Sequence, residues 1–214
     1  MPTKEEKLND WIRKNGYGYW CFLSWAHGSP EERRFAEKLR KDLIDELSTY
    51  FDAPQVFLDT SEIRTGHIWK RRISEALCRS VMLVAICTPT YFSRSHRYCG
   101  LEWTGMLRLG RRRLKDNSET CVYSLIYRKP EEMPGVFREV QFRDISDGAL
   151  SRRYRTTGDY QKVRDEILDR VRELAKKLKR RGASADCAKY RLPGSSAFDD
   201  WRPGRPVLPT RRRP

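Results

Sequence analysis

The chain has 214 residues and a formal net charge of +15, with 34% charged and 38% apolar residues. This length allows one α/β domain with a sizeable core and short extensions, and the charge content is typical of a globular protein in water. No apolar run approaches the roughly 20 residues that cross a bilayer, and the first residues lack the apolar core of a signal peptide. We therefore expect a cytoplasmic protein with no membrane contact.

The excess positive charge would attract nucleic acids and other polyanions, but its distribution argues against a nucleic-acid partner. Basic residues are spread over most of the predicted helices and the C-terminal tail. The sequence has no zinc-finger spacing, no RNA-binding aromatic motif and no basic-zipper pattern. An arginine-rich solvated surface is favoured, and nucleic-acid binding is kept as the weakest of three functional hypotheses.

The six cysteines do not form a recognisable metal site. None of them makes a CxxC pair, and no histidine lies at a metal-ligand spacing from them. Cys21, Cys87 and Cys121 fall in apolar strand-like runs and are predicted to be small buried core residues. No bound metal is expected.

Helix-like and strand-like patterns alternate in the first half of the chain. Ser29 is a plausible N-cap for the second helix, with Pro30 at its first position. The predicted elements, in order, are a helix at 5–14, a strand at 19–25, a helix at 30–51, a strand at 55–58 and a helix at 67–79.

The second half opens on the most apolar segment of the sequence. Residues 81–87 form an unbroken run rich in β-branched side chains and closed by Thr88 and Pro89, which indicates a strand buried on both faces. A helix beginning at residue 99, strands at 121–127 and 140–145 and a helix at 160–180 are predicted to follow it.

This alternation predicts an α/β fold, a flavodoxin-like open five-stranded parallel sheet in the order 2-1-3-4-5, with helices on both faces. Ligands of such sheets bind at the carboxyl ends of the strands, where the strand order reverses between strands 1 and 3. Glu102 is predicted in the first turn of the helix that follows strand 3. It is therefore a candidate for chemistry, although an acid at a helix N-terminus also suits the helix dipole.

Three regions are predicted along the chain. Residues 1–16 form an N-terminal helical extension, residues 17–180 form the α/β domain, and residues 181–214 form a basic tail rich in Pro and Arg. The tail is predicted to be disordered because its composition provides little apolar surface to bury. The alternative is that the tail docks on another surface through its apolar residues, which include Phe198 and Trp201.

Three stretches, occurring in order, resemble the motifs of Toll/interleukin-1 receptor (TIR) domains. FLSWAH at 22–27 is similar to the first strand motif, and VFLDTSEIRTGHIWKRRISEAL at 56–77 is similar to the second strand, the BB loop and the following helix. TPTYFSRSHRYCGLEW at 88–103 is similar to the third motif. The resemblance spans about residues 17–177, and its BB loop, with Asp59, Ile63 and Gly66, is typical of bacterial members and implies a role in assembly.

The third motif of TIR domains contains a serine, a cysteine and a glutamate. Cys99 and Glu102 match the last two, and either Ser93 or Ser95 matches the serine, because the spacing from Ser95 to Cys99 is one residue longer than usual. Many bacterial and plant members, and one animal member, cleave the nicotinamide–ribose bond of NAD⁺ with the glutamate that matches Glu102. The resemblance therefore implies Glu102 as the catalytic residue and NAD⁺ as a substrate, with no separate cofactor. It also implies ADP-ribose or a cyclic isomer as the product, in bacterial antiphage defence or signalling.

Other residues are weaker candidates for contacts to NAD⁺. Aromatic faces suit flat cationic rings, but Trp69 is as easily a core residue. For His27 and Arg64, a solvated position in a loop is favoured over contact with the substrate. Asp59 more readily fixes the BB loop through an Asx-type hydrogen bond. No phosphate-cradling glycine motif is present, so a dinucleotide site here is not of the Rossmann type. The full candidate set for substrate binding is Ser24, Trp25, His27, Arg64, Trp69, Ser95 and Cys99.

Two functional hypotheses lead. In the first, the chain is an NAD⁺ glycohydrolase or cyclase that self-associates through TIR–TIR contacts and acts with a sensor or effector protein. In the second, it is a non-catalytic TIR adaptor or scaffold that works through the same contacts. Glu102 favours the enzyme, because many animal adaptors lack this glutamate.

Overall fold

The fold is that of a computed structural model, which describes residues 3–58, 67–134, 137, 140, 142–151 and 153–199. Its five strands are all parallel and lie in the order β2-β1-β3-β4-β5. The predicted flavodoxin-like sheet and its strand order are thereby confirmed. The strands are β1 Tyr19–Trp25, β2 Val56–Leu58, β3 Ser80–Cys87, β4 Val122–Ile126 and β5 Phe142–Asp144.

Helices connect these strands and cover the sheet. Right-handed crossovers place α2 on one face and α3 and α4 on the other, because the strand order reverses after β2. Ser29 caps α2 as predicted, its hydroxyl accepting the backbone N–H of Glu32 at 3.2 Å. The helices are α1 Lys4–Lys14, α2 Pro30–Leu47, α3 His67–Cys78, α4 Arg97–Leu114, α5 Ser146–Ala149 and α6 Gly158–Arg181.

The central strands are enclosed on both faces, as their composition requires. Every residue of β3 is buried, whereas the edge strand β5 leaves Phe142 41% exposed. The predicted core residues Cys21, Cys87 and Cys121 are all fully buried, with free thiols. Burial raises the pKa of Cys121 to about 11 and raises those of the other two thiols as well, so all three stay protonated at neutral pH.

The segment at residues 183–199, here called the C-terminal strap, differs from the disordered tail predicted over 181–214. It follows Gly182, which ends α6 in the left-handed conformation with φ +61°. A disulfide between Cys78 and Cys187 ties it to the end of α3.

The end of the strap is held by apolar packing. Phe198 is 2% exposed, and its ring centroid lies 4.3 Å from that of Phe92 and 4.9 Å from that of Trp103. The backbone N–H of Ala197 donates to the Thr104 hydroxyl at 3.1 Å. The strap is therefore held in place by the burial of a few apolar side chains on α4. The composition of the whole tail, which is mostly polar and basic, does not indicate this packing. Residues 200–214, with Trp201, lie outside the described part of the chain.

Within the part of the chain that the structure describes, no helix is both long enough and apolar enough to cross a bilayer.

Candidate functional site

A buried hydrogen-bonded group lies at the carboxyl ends of β1 and β3, where the strand order reverses. Ser24, near the end of β1, pairs in register with Ala85 of β3. Its hydroxyl donates to Oε2 of Glu102 at 2.6 Å and lies 2.7 Å from the hydroxyl of Tyr91. A strand end, a turn and a helix thus bring three polar side chains together at the edge where open α/β sheets bind ligands.

Glu102 lies in the second turn of α4 and not in the first turn as predicted. The helix begins at Arg97, two residues earlier than the sequence pattern indicates, and its first turn holds no acid. The dipole of a helix acts mainly within its terminal turn, so it explains this glutamate poorly. Its side chain is 1% exposed. Acidic side chains are rarely fully buried in protein cores, and a buried acid in a hydrogen-bonded group at a sheet edge is common at functional sites.

Tyr91 is the member of the group that the sequence analysis missed. It lies in a short 3₁₀ turn, Pro89–Phe92, directly after β3, and it is fully buried. Burial raises the pKa of its phenol well above the usual value, so the hydroxyl keeps its proton. A tyrosine two residues after the proline that closes a buried strand was the available signal, because that position lies at the carboxyl edge of the sheet.

Three further predicted residues lie at the same strand end. Cys99 is buried, and its thiol donates to the backbone carbonyl of Trp25 at 3.4 Å. The ring of His27 lies 4.1 Å from the ring of Trp25, and His27 has φ +54°, a left-handed conformation that is uncommon for a residue with a side chain. The contacts tie the first strand motif to the start of α4.

The two serines that compete for the motif position lie together. Ser93 and Ser95 have hydroxyls 2.7 Å apart, and these lie 3.2 and 3.1 Å from Nδ1 of His96. The geometry leaves both serines as candidates for the motif position. Partial burial, followed by the effect of His27, lowers the pKa of His96, which favours its neutral form at pH 7.

A second buried carboxylate stands nearby on α2. Glu32 is 4% exposed, and the backbone of Gly28, in the loop after β1, hydrogen-bonds to it. Burial raises the pKa of this carboxyl, although the charge of Arg128 opposes the shift. The sequence analysis missed Glu32 because it occupies the acidic first turn of a helix, where a glutamate needs no further explanation.

Four predicted residues of the BB loop, Asp59, Ile63, Arg64 and Gly66, lie outside the described residues. Trp69 belongs to α3, but its side chain is also outside what the structure describes. The described residues bring no three His, Cys, Asp or Glu side chains together as metal ligands. A cavity of about 360 Å³ beside the strap is lined by Ser93, Gly100, Phe198 and their neighbours, and Glu102 is not among its lining residues.

Comparison with known proteins identifies the family. The TIR domain model matches residues 21–157, well over half of the chain. The chain belongs to the TIR domain family. TIR domains include NAD⁺-cleaving enzymes and non-catalytic members, so membership alone does not define the activity. No curated protein and no solved structure matches the chain. The function of this TIR domain must therefore be argued from its own residues.

Proposed function

We propose that this TIR domain cleaves the nicotinamide–ribose bond of NAD⁺, with Glu102 as the catalytic residue. The observation that carries the proposal is the position of Glu102. It is a buried carboxylate at the carboxyl edge of the sheet, hydrogen-bonded by Ser24, in the motif where NAD⁺-cleaving TIR domains have their glutamate.

A single carboxylate is adequate for this reaction. The bond between the ribose C1′ and the pyridinium nitrogen breaks, and its electron pair stays with nicotinamide, which leaves as a neutral molecule. No general acid is therefore needed, in contrast to ordinary glycoside hydrolysis with its two carboxyl groups. The carboxylate offsets the positive charge that develops on the ribose, and a preoriented group does so most effectively where water is excluded. Water or the adenine of the same molecule then attacks C1′ and releases a proton to the solvent, giving ADP-ribose or a cyclic isomer.

The burial of Glu102 also bears on regulation. At 1% exposure the carboxylate is closed to a molecule as large as NAD⁺, so the surrounding segments must open before substrate binds. TIR–TIR association is the proposed source of that opening, and turnover per protomer is then expected to rise with protein concentration. NAD⁺ depletion, or release of a cyclic product, would serve antiphage defence or signalling.

The test is NAD⁺ consumption by concentrated protein, compared with Glu102→Gln, with products resolved by chromatography and mass spectrometry. We expect turnover that the substitution abolishes. Asp42→Asn is a matched control, because Asp42 is also a buried carboxylate, on α2, hydrogen-bonded by Tyr160 at 2.7 Å. Circular dichroism verifies that both variants fold. Equal turnover in the wild type and Glu102→Gln would refute the proposal.

The alternative is a non-catalytic scaffold that acts through TIR–TIR contacts, and the closure of Glu102 is the observation in its favour. The same assay over a wide range of protein concentration, with a crowding agent at the upper end, separates the two. A scaffold would associate without consuming NAD⁺ at any concentration, whereas the proposed enzyme becomes active as it associates.

A further inference from the structure

The hydroxyl groups beside Glu102 form a chain with a direction. The Ser24 hydroxyl carries one proton and donates it to Glu102, so the proton between Ser24 and Tyr91 must come from Tyr91. Burial raises the pKa of the Tyr91 phenol, so that proton is retained throughout the neutral range. Tyr91 therefore donates to Ser24, Ser24 donates to Glu102, and the carboxylate is the final acceptor.

We propose that Tyr91 is a positioning residue for the reaction, one that acts through Ser24 to keep the Glu102 carboxylate ionised and fixed in orientation. This inference rests on the proposed NAD⁺ cleavage and adds to it a residue outside the serine–cysteine–glutamate motif. Ser24 provides the hydrogen-bonded link between Tyr91 and the carboxylate.

The direction of the chain favours the charged form of the glutamate. A hydrogen bond donated to a carboxyl oxygen stabilises the charged form more than the neutral form, so the Ser24 hydroxyl favours an ionised Glu102. Successive hydrogen bonds also polarise one another, so the Tyr91 proton strengthens the bond from Ser24 to the carboxylate.

Removing the Tyr91 hydroxyl eliminates this preference while preserving the packing. In Tyr91→Phe, Ser24 loses the bond that polarises it and becomes a weaker donor to Glu102, so the neutral form of the carboxyl becomes relatively more favourable. We expect the acidic limb of the kcat/KM profile to move up by roughly half to one pH unit. We also expect about a tenfold decrease in kcat/KM at neutral pH.

Two comparisons separate positioning from a loss of stability. Tyr127→Phe removes another fully buried hydroxyl, one that donates to the carbonyl of Ala149 at 3.3 Å, and it should leave the pH profile unchanged. In a Ser24→Ala background, Tyr91→Phe should have no further effect, because the two residues act as one unit. Additive effects of the two substitutions would overturn the proposal.

A measurement without substrate keeps this inference separate from the proposed function. Carbon-13 NMR of protein with labelled glutamate follows the Glu102 carboxyl, whose signal is assigned by its absence in Glu102→Gln. We expect Tyr91→Phe to raise the titration midpoint of that signal by roughly half to one pH unit. An unmoved midpoint would refute the role of Tyr91 even in an active enzyme. A shifted midpoint in a protein that never consumes NAD⁺ would refute the proposed function and leave the Tyr91–Ser24–Glu102 coupling in place.

Discussion

Reducing the disulfide between Cys78 and Cys187 should remove a large share of the stability of this protein. The two cysteines are 109 residues apart, so the bond closes a very long loop in the unfolded chain. Chain-entropy arithmetic assigns about 4.7 kcal/mol to a loop of roughly 100 residues. Domains have only about 5–15 kcal/mol of total stability, so the reduced protein would be marginal.

Urea unfolding with and without a phosphine reductant measures this effect. With a slope of about 2 kcal/mol per molar urea, the midpoint should fall by roughly 2 M on reduction. A Cys78→Ser/Cys187→Ser double variant should match the reduced protein and show no response to reductant. The other cysteines, Cys21, Cys87, Cys99 and Cys121, are not part of a disulfide.

The thiol count tests the same reasoning directly. Protein purified without reductant and then unfolded should expose only the thiols of those four cysteines, and reduction should add two. All six thiols reacting before reduction would show that the bond does not form. A midpoint that reductant leaves unchanged would show that loop closure does not stabilise this fold.

Three other predictions concern the strap and its neighbourhood. Phe198→Ala should lower the free energy of unfolding by about 3 kcal/mol, as for a buried aromatic residue, and a loss under 1 kcal/mol in urea unfolding would show that the strap does not pack on α4. Gly105→Ala places a Cβ 2.6 Å from the Tyr190 hydroxyl and should therefore destabilise the protein. The same change in an open helix stabilises by about 1 kcal/mol, so a melting temperature that rises in Gly105→Ala would contradict the close approach of the strap. Because the pKa of His96 is lower in the folded protein, the unfolded chain binds a proton at a higher pH than the folded protein does. The free energy of unfolding should therefore fall as the pH drops below about 6.5. Urea midpoints at neutral and mildly acidic pH should show a smaller decrease in His96→Gln, and an equal decrease would contradict the assignment.

The local sequence pattern was enough to predict the sheet and the edge of the sheet at which Glu102 lies. The apolar run of β3 and the alternation of helices and strands predict a parallel sheet. The strand order of that sheet places the ligand-binding edge at the carboxyl ends of β1 and β3. The helix limits were less accurate, because α2 ends at Leu47 and not near residue 51, and α4 begins at Arg97. In the second case the error moved Glu102 from the first turn to the second.

The features that sequence reasoning missed depend on contacts between distant parts of the chain. Six cysteines allow 15 disulfide connectivities, and nothing local links Cys78 to Cys187. The packing of Phe198 depends on a face of α4 where Gly100 and Gly105 let the strap approach closely. No composition rule applied to the tail alone reveals that complementary surface.

The burial of Glu102 has opposite consequences for stability and for chemistry. Removing a carboxylate from water costs free energy, and the hydrogen bond from Ser24 offsets only part of that cost. The same exclusion of water strengthens the field of the carboxylate on a developing cation, which is the property that cleavage of NAD⁺ needs. A closed site, however, binds substrate only through the fraction of molecules that open. Each 1.4 kcal/mol of opening cost weakens apparent binding by about tenfold. If Glu102 is catalytic as proposed, an isolated protomer is expected to have low activity, and a contact that stabilises the open form is expected to increase turnover in proportion to the open fraction.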